Sequence, residues 1–220
     1  MFGQPANDIE KQWLLDRLKT LSVREAYQLS TVMLTTGRLK EVSGKVGDEL
    51  LAAVLKLDRQ ETAEAINCLL SLSDYEVLCP AGSYEALGEY YLRYEAELPE
   101  AAIPYADLYQ IGCRYEDQHP GVFIGDCFVV LPGREPKQTY DGTNLDKVQE
   151  TDWSLRLRLA TPAVPKGVWV CLPDHAAVEA DGRLGDIALA LRELQIEIIQ
   201  ESELLEVHCS LPGITIRPEE

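Results

Sequence analysis

The sequence predicts an α+β fold in three units. A helical N-terminal unit spans residues 1–72, an acidic α+β middle unit 73–131, and a small β-β-α-β C-terminal unit 153–220, with a linker over 132–152. Three observations predict it. Apolar residues recur at helical spacing through the first third. Strict apolar–polar alternation opens the last third. The charge is also uneven: residues 74–152 carry 16 Asp+Glu against 5 Lys+Arg, a net of -11, whereas the 73 residues before them sum to -1.

In the first unit, Ile9, Trp13, Leu14, Leu18 and Leu21 follow Asn7, an expected N-cap. Ser22 and Glu25 form a capping box that opens a second helix. That helix is expected to run to about Thr36, with Gly37 as its stop. Leu50, Leu51, Val54, Leu55 and Leu57 make a third apolar set. Asp58 and Glu61 resemble another start, leading into Ala63, Ile66, Leu69 and Leu70. The expectation is a bundle of four short helices.

The middle unit opens with a strand over 75–79, ended by Pro80 and Gly82. Ser83 caps a helix expected to reach about Glu97. Its predicted buried stripe is Tyr84, Leu87, Tyr91, Tyr94 and Leu98. Glu85 and Glu89 lie opposite that stripe, with Glu95 and Glu97 flanking. A second helix is expected from near Pro104 past Tyr109, Ile111 and Tyr115, broken by Pro120-Gly121. Residues 122–131 then read as one strand containing Asp126.

In the last unit Trp153, Leu155, Leu157 and Leu159 alternate with Ser154, Arg156 and Arg158, which puts the two arginines on the face opposite the apolar residues. A strand over 167–172 follows. Leu184, Ile187, Ala188, Leu191 and Leu194 predict an amphipathic helix, and residues 204–211 a last strand. The helix is expected on one face of its sheet.

Composition bounds the chemistry. A chain of 220 residues with 46% hydrophobic and 26% charged residues has the balance of a globular protein, not a disordered one. No stretch approaches ~18 uninterrupted apolar residues, so no membrane span is expected. Residues 1–8 lack the pattern of a secretory signal. The six cysteines Cys68, Cys79, Cys113, Cys127, Cys171 and Cys209 show no Cys-x-x-Cys, so free thiols in a cytoplasmic protein are expected. A net charge of -17 disfavours nucleic acid and anionic membrane and favours basic surfaces. Surface acid either supplies solubility or faces such a partner, and composition leaves both open.

Catalytic signatures are missing. His119, His175 and His208 are scattered without metal-ligand spacing. There is no phosphate-binding loop; Gly133, Gly142 and Gly182 sit beside Pro or Asp as turn formers. Cys209 and His208 are neighbours on a strand and point to opposite faces, so they make no dyad. Cys171 with His175 has no further support. The sequence predicts no catalytic residue, no metal and no cofactor. Seven of the ten tyrosines fall within residues 84–115. Tyr84, Tyr91 and Tyr94 are expected in the core; the remainder, Tyr90 among them, fit either packing or an interface.

The segment Ser83-Tyr84-Glu85-Ala86-Leu87-Gly88-Glu89-Tyr90-Tyr91, after the strand Tyr75-Glu76-Val77-Leu78, resembles the ArdA-like antirestriction proteins of mobile genetic elements. Asp107, Gly112, Gly121, Phe123 and Val129 fall in register with that family's next block. Leu108, Ile111, Cys113 and Pro120 depart from it. The most specific part covers residues 75–129. The resemblance implies an acidic, elongated dimer that mimics DNA. Its partner would be a basic DNA-binding protein, a type I restriction-modification enzyme. The carboxylates expected on the binding face are Glu85, Glu89, Glu95, Glu97, Glu100, Asp107, Glu116 and Asp117. An acidic interaction module of a mobile element without inhibitory activity is the alternative, and an enzyme of unassigned type the third.

Overall fold

In the computed structural model, residues 8–37, 52, 54–96, 98–134, 137–145, 148, 153–174 and 185–211 are described. Asn7, Leu50, Leu51, Glu97, His175, Gly182 and Leu184 lie outside them. The described residues form a mixed α+β fold with six α-helices and two small antiparallel sheets.

Three of these helices precede residue 72: α1 (Asp8–Leu18), α2 (Val23–Thr35) and α3 (Arg59–Leu69). Both expected capping boxes form. The Ser22 hydroxyl accepts from Glu25 N and the Glu25 carboxylate from Ser22 N. Asp58 and Glu61 do the same for α3. Each box satisfies amide donors that a helix start leaves orphaned. Leu14, Leu29, Met33, Val54, Leu57 and Ile66 meet in one apolar core. Ile9 and Leu55, expected to join it, are exposed at 69% and 55%. On α1 the buried face is instead Glu10, Leu14, Arg17 and Leu18.

Residues 137–145, expected as linker, pack on this helical layer. Asn67 Oδ1 accepts from Thr139 N (2.8 Å) and Tyr140 N (2.7 Å), and Asn67 Nδ2 donates to Tyr140 O (2.9 Å). The buried Tyr140 hydroxyl donates to Glu10.

The first sheet has strand order β1-β3-β2, with β1 (Glu76–Leu78), β2 (Gly121–Ile124) and β3 (Cys127–Val130). The single strand expected over 122–131 is thus a hairpin. Gly125 and Asp126 are its two-residue turn, with Ile124 paired to Cys127 and Gly125 at φ +60°. A positive φ at the first turn position selects glycine and matches the twist of the flanking strands. The apolar run on both sides of Gly-Asp hid this turn.

Between β1 and β2 lie α4 (Tyr84–Tyr90), one π-turn (Tyr91–Glu95) and α5 (Leu108–Gln118). The second helix starts at Asp107, not near Pro104: residues Ile103–Tyr105 form only a 3-10 turn, and Asp107 caps α5 by accepting from Gln110 N. The expected stripe on α4 is also corrected. Tyr90 and Leu92 are buried, while Tyr84, Tyr91, Tyr94 and Leu98 are half-buried. The i→i+5 bonding of the π-turn inserts a residue and rotates the face that follows. Where α4 meets α5 the backbones touch: a Cβ at Gly88 would lie 2.0 Å from Leu108 O, and one at Gly112 1.9 Å from Tyr84 O. Only glycine permits that approach.

The second sheet has order β5-β4-β6, with β4 (Leu155–Ala160) in the middle, β5 (Val168–Leu172) and β6 (Glu203–Cys209). Its helix α6 (Asp186–Glu193) was expected to bury one stripe but is covered on two sides. Ala190 and Leu194 pack on the sheet with Leu159 and Val170, while Leu189 joins Val32 of α2 and Val77 of β1. The free edge of β5 is met by Ser22, which bridges to Trp169.

Candidate partner-binding face and buried charge cluster

Seven of the expected carboxylates are described; Glu97 lies outside the described residues. The structure gathers them around the α4–α5 hairpin, and most are engaged there. Glu85, Glu95, Glu100, Asp107 and Asp117 are exposed, and Glu89 and Glu116 half-buried. Arg93 ties Glu89 (2.8 Å) and Glu100 together. Two tyrosines reach across the helix seam: Tyr84 donates to Glu116 and Tyr115 to Glu95, each at 2.8 Å. The bond to Glu116 raises the Tyr84 pKa to about 12. Burial, then the bond to Glu95, pushes the Tyr115 phenol up as well. Both hydroxyls therefore remain protonated donors that hold their carboxylates in place.

Aromatic rings support this face from beneath. Phe128, Phe123 and Tyr84 stack edgewise in series, and Tyr84 meets Tyr109 at 5.4 Å. The tyrosine cluster divides accordingly. Tyr90 and Tyr115 are core, whereas Tyr105 and Tyr109 are exposed at 91% and 46%.

A second constellation was not anticipated. Arg156, expected on the face of β4 opposite the apolar residues, is the largest fully buried side chain among the described residues. Its Nη1 donates to Thr20 O and Oγ1, both at 3.0 Å, and its Nη2 to Glu25 Oε1 at 2.9 Å. Arg17 Nη2 meets the same Glu25 oxygen at 2.6 Å. The guanidinium also lies over the Trp153 ring at 4.5 Å. Around Arg156, Trp169 and Cys171 the second face of this sheet is buried too, so alternation did not separate inside from outside. Burial works against the Glu25 anion, but Arg17 and Arg156 together outweigh it and hold the carboxyl below its usual range.

Asp186 sits in the same region, 7% exposed. It accepts from the Ser22 hydroxyl (3.2 Å) and Cys171 N (3.3 Å). Burial raises its pKa to about 7; Glu25 and Asp174 push the same way, against Arg24 and the Ser22 bond. Burial and Glu25 likewise push the Cys171 thiol up, so it is a poor nucleophile. The only sequence signal for this cluster was the Ser22–Glu25 box, which revealed one carboxylate oxygen. The other is shared by Arg17, 8 residues away, and Arg156, 131 residues away.

Cys79 and Cys127 form a disulfide, which corrects the expectation of free thiols throughout; Cys113, Cys171 and Cys209 keep free thiols. Ligand atoms of Cys79, Asp126 and Cys127 lie within 4.8 Å of one another. With the two sulfurs bonded, neither is a thiolate able to ligate a metal. His208 bonds Glu206 at 2.9 Å and packs on Trp169. Among the described residues, no helix is long and apolar enough to cross a membrane. No protein-family model, no curated protein and no solved structure matches the chain.

Proposed function

We propose that the α4–α5 face binds a basic DNA-binding protein in the groove that nucleic acid would occupy, so that the chain acts as a competitive, non-enzymatic inhibitor. A type I restriction-modification enzyme is the partner that the resemblance implies. The observation that carries this reading is a cluster of carboxylates around the α4–α5 hairpin, most of them exposed and some placed at a cost to the fold. Asp117 is exposed in the last turn of α5, a turn with no basic residue. A negative charge there opposes the helix dipole and costs about 0.3–1 kcal/mol. Glu85 and Glu89 are like charges at i,i+4 on α4, a cost of about 0.2–0.5 kcal/mol that the Glu89–Arg93 pair offsets. Basic grooves bind DNA largely through Lys and Arg facing phosphate, and carboxylates on successive turns can take those places.

The test is competition. Added chain should displace duplex DNA from such an enzyme at low salt, and its affinity should fall steeply as salt rises. Affinity that is flat from low to high salt, or binding without displacement, sinks the reading. The exposed Tyr105 and Tyr109 favour a second reading, an ordinary interaction module whose anchors are aromatic. In that case Tyr105→Ala weakens binding more than loss of an acid does, and salt matters little.

A further inference from the structure

We propose that Cys79 and Cys127 are a thiol–disulfide switch at the root of the acidic lobe, closed in the state described above and open under reducing conditions. Cys79 follows β1 directly and Cys127 begins β3, and the register Leu78↔Phe128 places the two opposite each other. Their Cα atoms are 4.6 Å apart, within the range a disulfide spans. Forty-eight residues separate them, and that loop contains α4, α5 and β2. Glu85, Glu89, Glu95, Glu100, Asp107, Glu116 and Asp117 all lie inside it. One bond therefore closes the segment that carries the whole face.

Without the bond, the near side of the lobe hangs from a short ladder. β1 is a three-residue edge strand. Next to it, Ala81 N donates to Asp126 O at 2.8 Å, and Asp126 pairs with Arg192 of α6. Exchange requires this edge to open, and because Val77, Leu78 and Cys79 are core residues, at 4%, 1% and 1% exposed, that opening is rare. Both sulfurs are buried, at 1% and 0%, so no reagent reaches them in the closed fold. The switch is therefore slow and coupled to opening of the β1 edge.

The chemistry balances with a small-molecule disulfide such as oxidised glutathione as oxidant. One cysteine thiolate attacks it, giving a mixed disulfide and one molecule of thiol. The second cysteine displaces the other thiol and forms Cys79–Cys127. Two protein thiol protons end on two small-molecule thiols, and the protein loses two electrons.

The proposal stands apart from the partner reading, because its test measures the lobe alone. The full chain is equilibrated with dithiothreitol or with oxidised glutathione, and backbone hydrogen exchange is followed by mass spectrometry. Peptides from residues 84–118 should exchange at least about tenfold slower in the oxidised chain, with β4–β6 peptides unchanged. Alkylation in denaturant should label six cysteines in the reduced chain and all but Cys79 and Cys127 in the oxidised one. Cys127→Ser should show the reduced pattern in both buffers, and Cys68→Ser should retain the difference. Equal exchange in the two redox states overturns the proposal, as does labelling of Cys79 and Cys127 after oxidation. A bond that survives prolonged dithiothreitol also overturns it. The wild-type comparison decides even if Cys127→Ser does not fold.

Discussion

Arg93 in the π-turn after α4 and Arg156 on β4 both pair with glutamate, in opposite surroundings. The Arg93 side chain is 35% exposed, and its partners Glu89 and Glu100 are 45% and 81% exposed. Arg156 is 1% exposed, and Glu25, which it shares with Arg17, 16%. In water an exposed pair contributes only about 0–1 kcal/mol and is screened by salt. In the interior a charge must be matched closely, because removing one partner strands the other. The acid that dominates the composition is thus the acid that contributes least to the fold. The charge that joins α1, α2 and β4 is nearly invisible in composition.

The largest expected effect breaks the buried side of this contrast. Arg156→Leu removes a donor from Glu25 and from Thr20 O, while Arg17 still faces Glu25. The loss should be about 3–5 kcal/mol in denaturant unfolding. Arg93→Leu, by contrast, should change stability by less than about 1 kcal/mol. Equal losses in the two variants would show that burial does not separate the two regions.

A smaller effect, and one with a pH signature, comes from Asp186. Its folded pKa of about 7 stands above the usual aspartate value of 3.8. Between these values the folded chain holds more protons than the unfolded one. Stability therefore falls as pH rises from about 4 to about 7 and is flat above that range. Glu25, held below its usual value, acts in the opposite sense. Its contribution is present above the unfolded pKa and is lost as pH falls through the folded one. Asp186→Asn should remove the slope between pH 4 and 7 and raise stability above pH 7 by roughly 1–3 kcal/mol. A wild-type stability that climbs from pH 5 to 8 would contradict the assignment.

What the sequence made legible follows the reach of its signals. The two capping boxes and the Ser83 cap involve residues a few positions apart, and the β-β-α-β succession of the last elements rests on local periodicity, so local chemistry sets them. The acidic character of the α4–α5 face was legible as composition. Which acids are engaged was not, because Tyr84–Glu116 and Tyr115–Glu95 span 32 and 20 residues. The π-turn left no periodic trace, and within it Leu92 rather than Tyr91 or Tyr94 is the buried residue. The burial of Arg156 was not legible, because alternation reports only that two faces differ, not which one is covered. Cys79 and Cys127 carry no spacing motif, and only the β1–β3 register pairs them.

The smallest effect on stability tests the exposed side of the contrast. Asp117→Asn removes one exposed charge at the C-terminal end of α5 and nearly preserves side-chain volume. If Asp117 is there for the fold, the change should destabilise the protein. If the acid serves a partner, the dipole argument sets the opposite sign, a gain of about 0.3–0.5 kcal/mol at low salt that shrinks as salt rises. The same substitution should slow association with a basic partner, because long-range attraction between opposite charges governs encounter more than it governs residence. Stability by denaturant titration and association by stopped flow would be read on the same preparation. A gain in stability with a slower on-rate separates the two regions as proposed. A loss beyond about 1 kcal/mol would place Asp117 among the structural charges, and with it the claim that this face is free to serve a partner would fall.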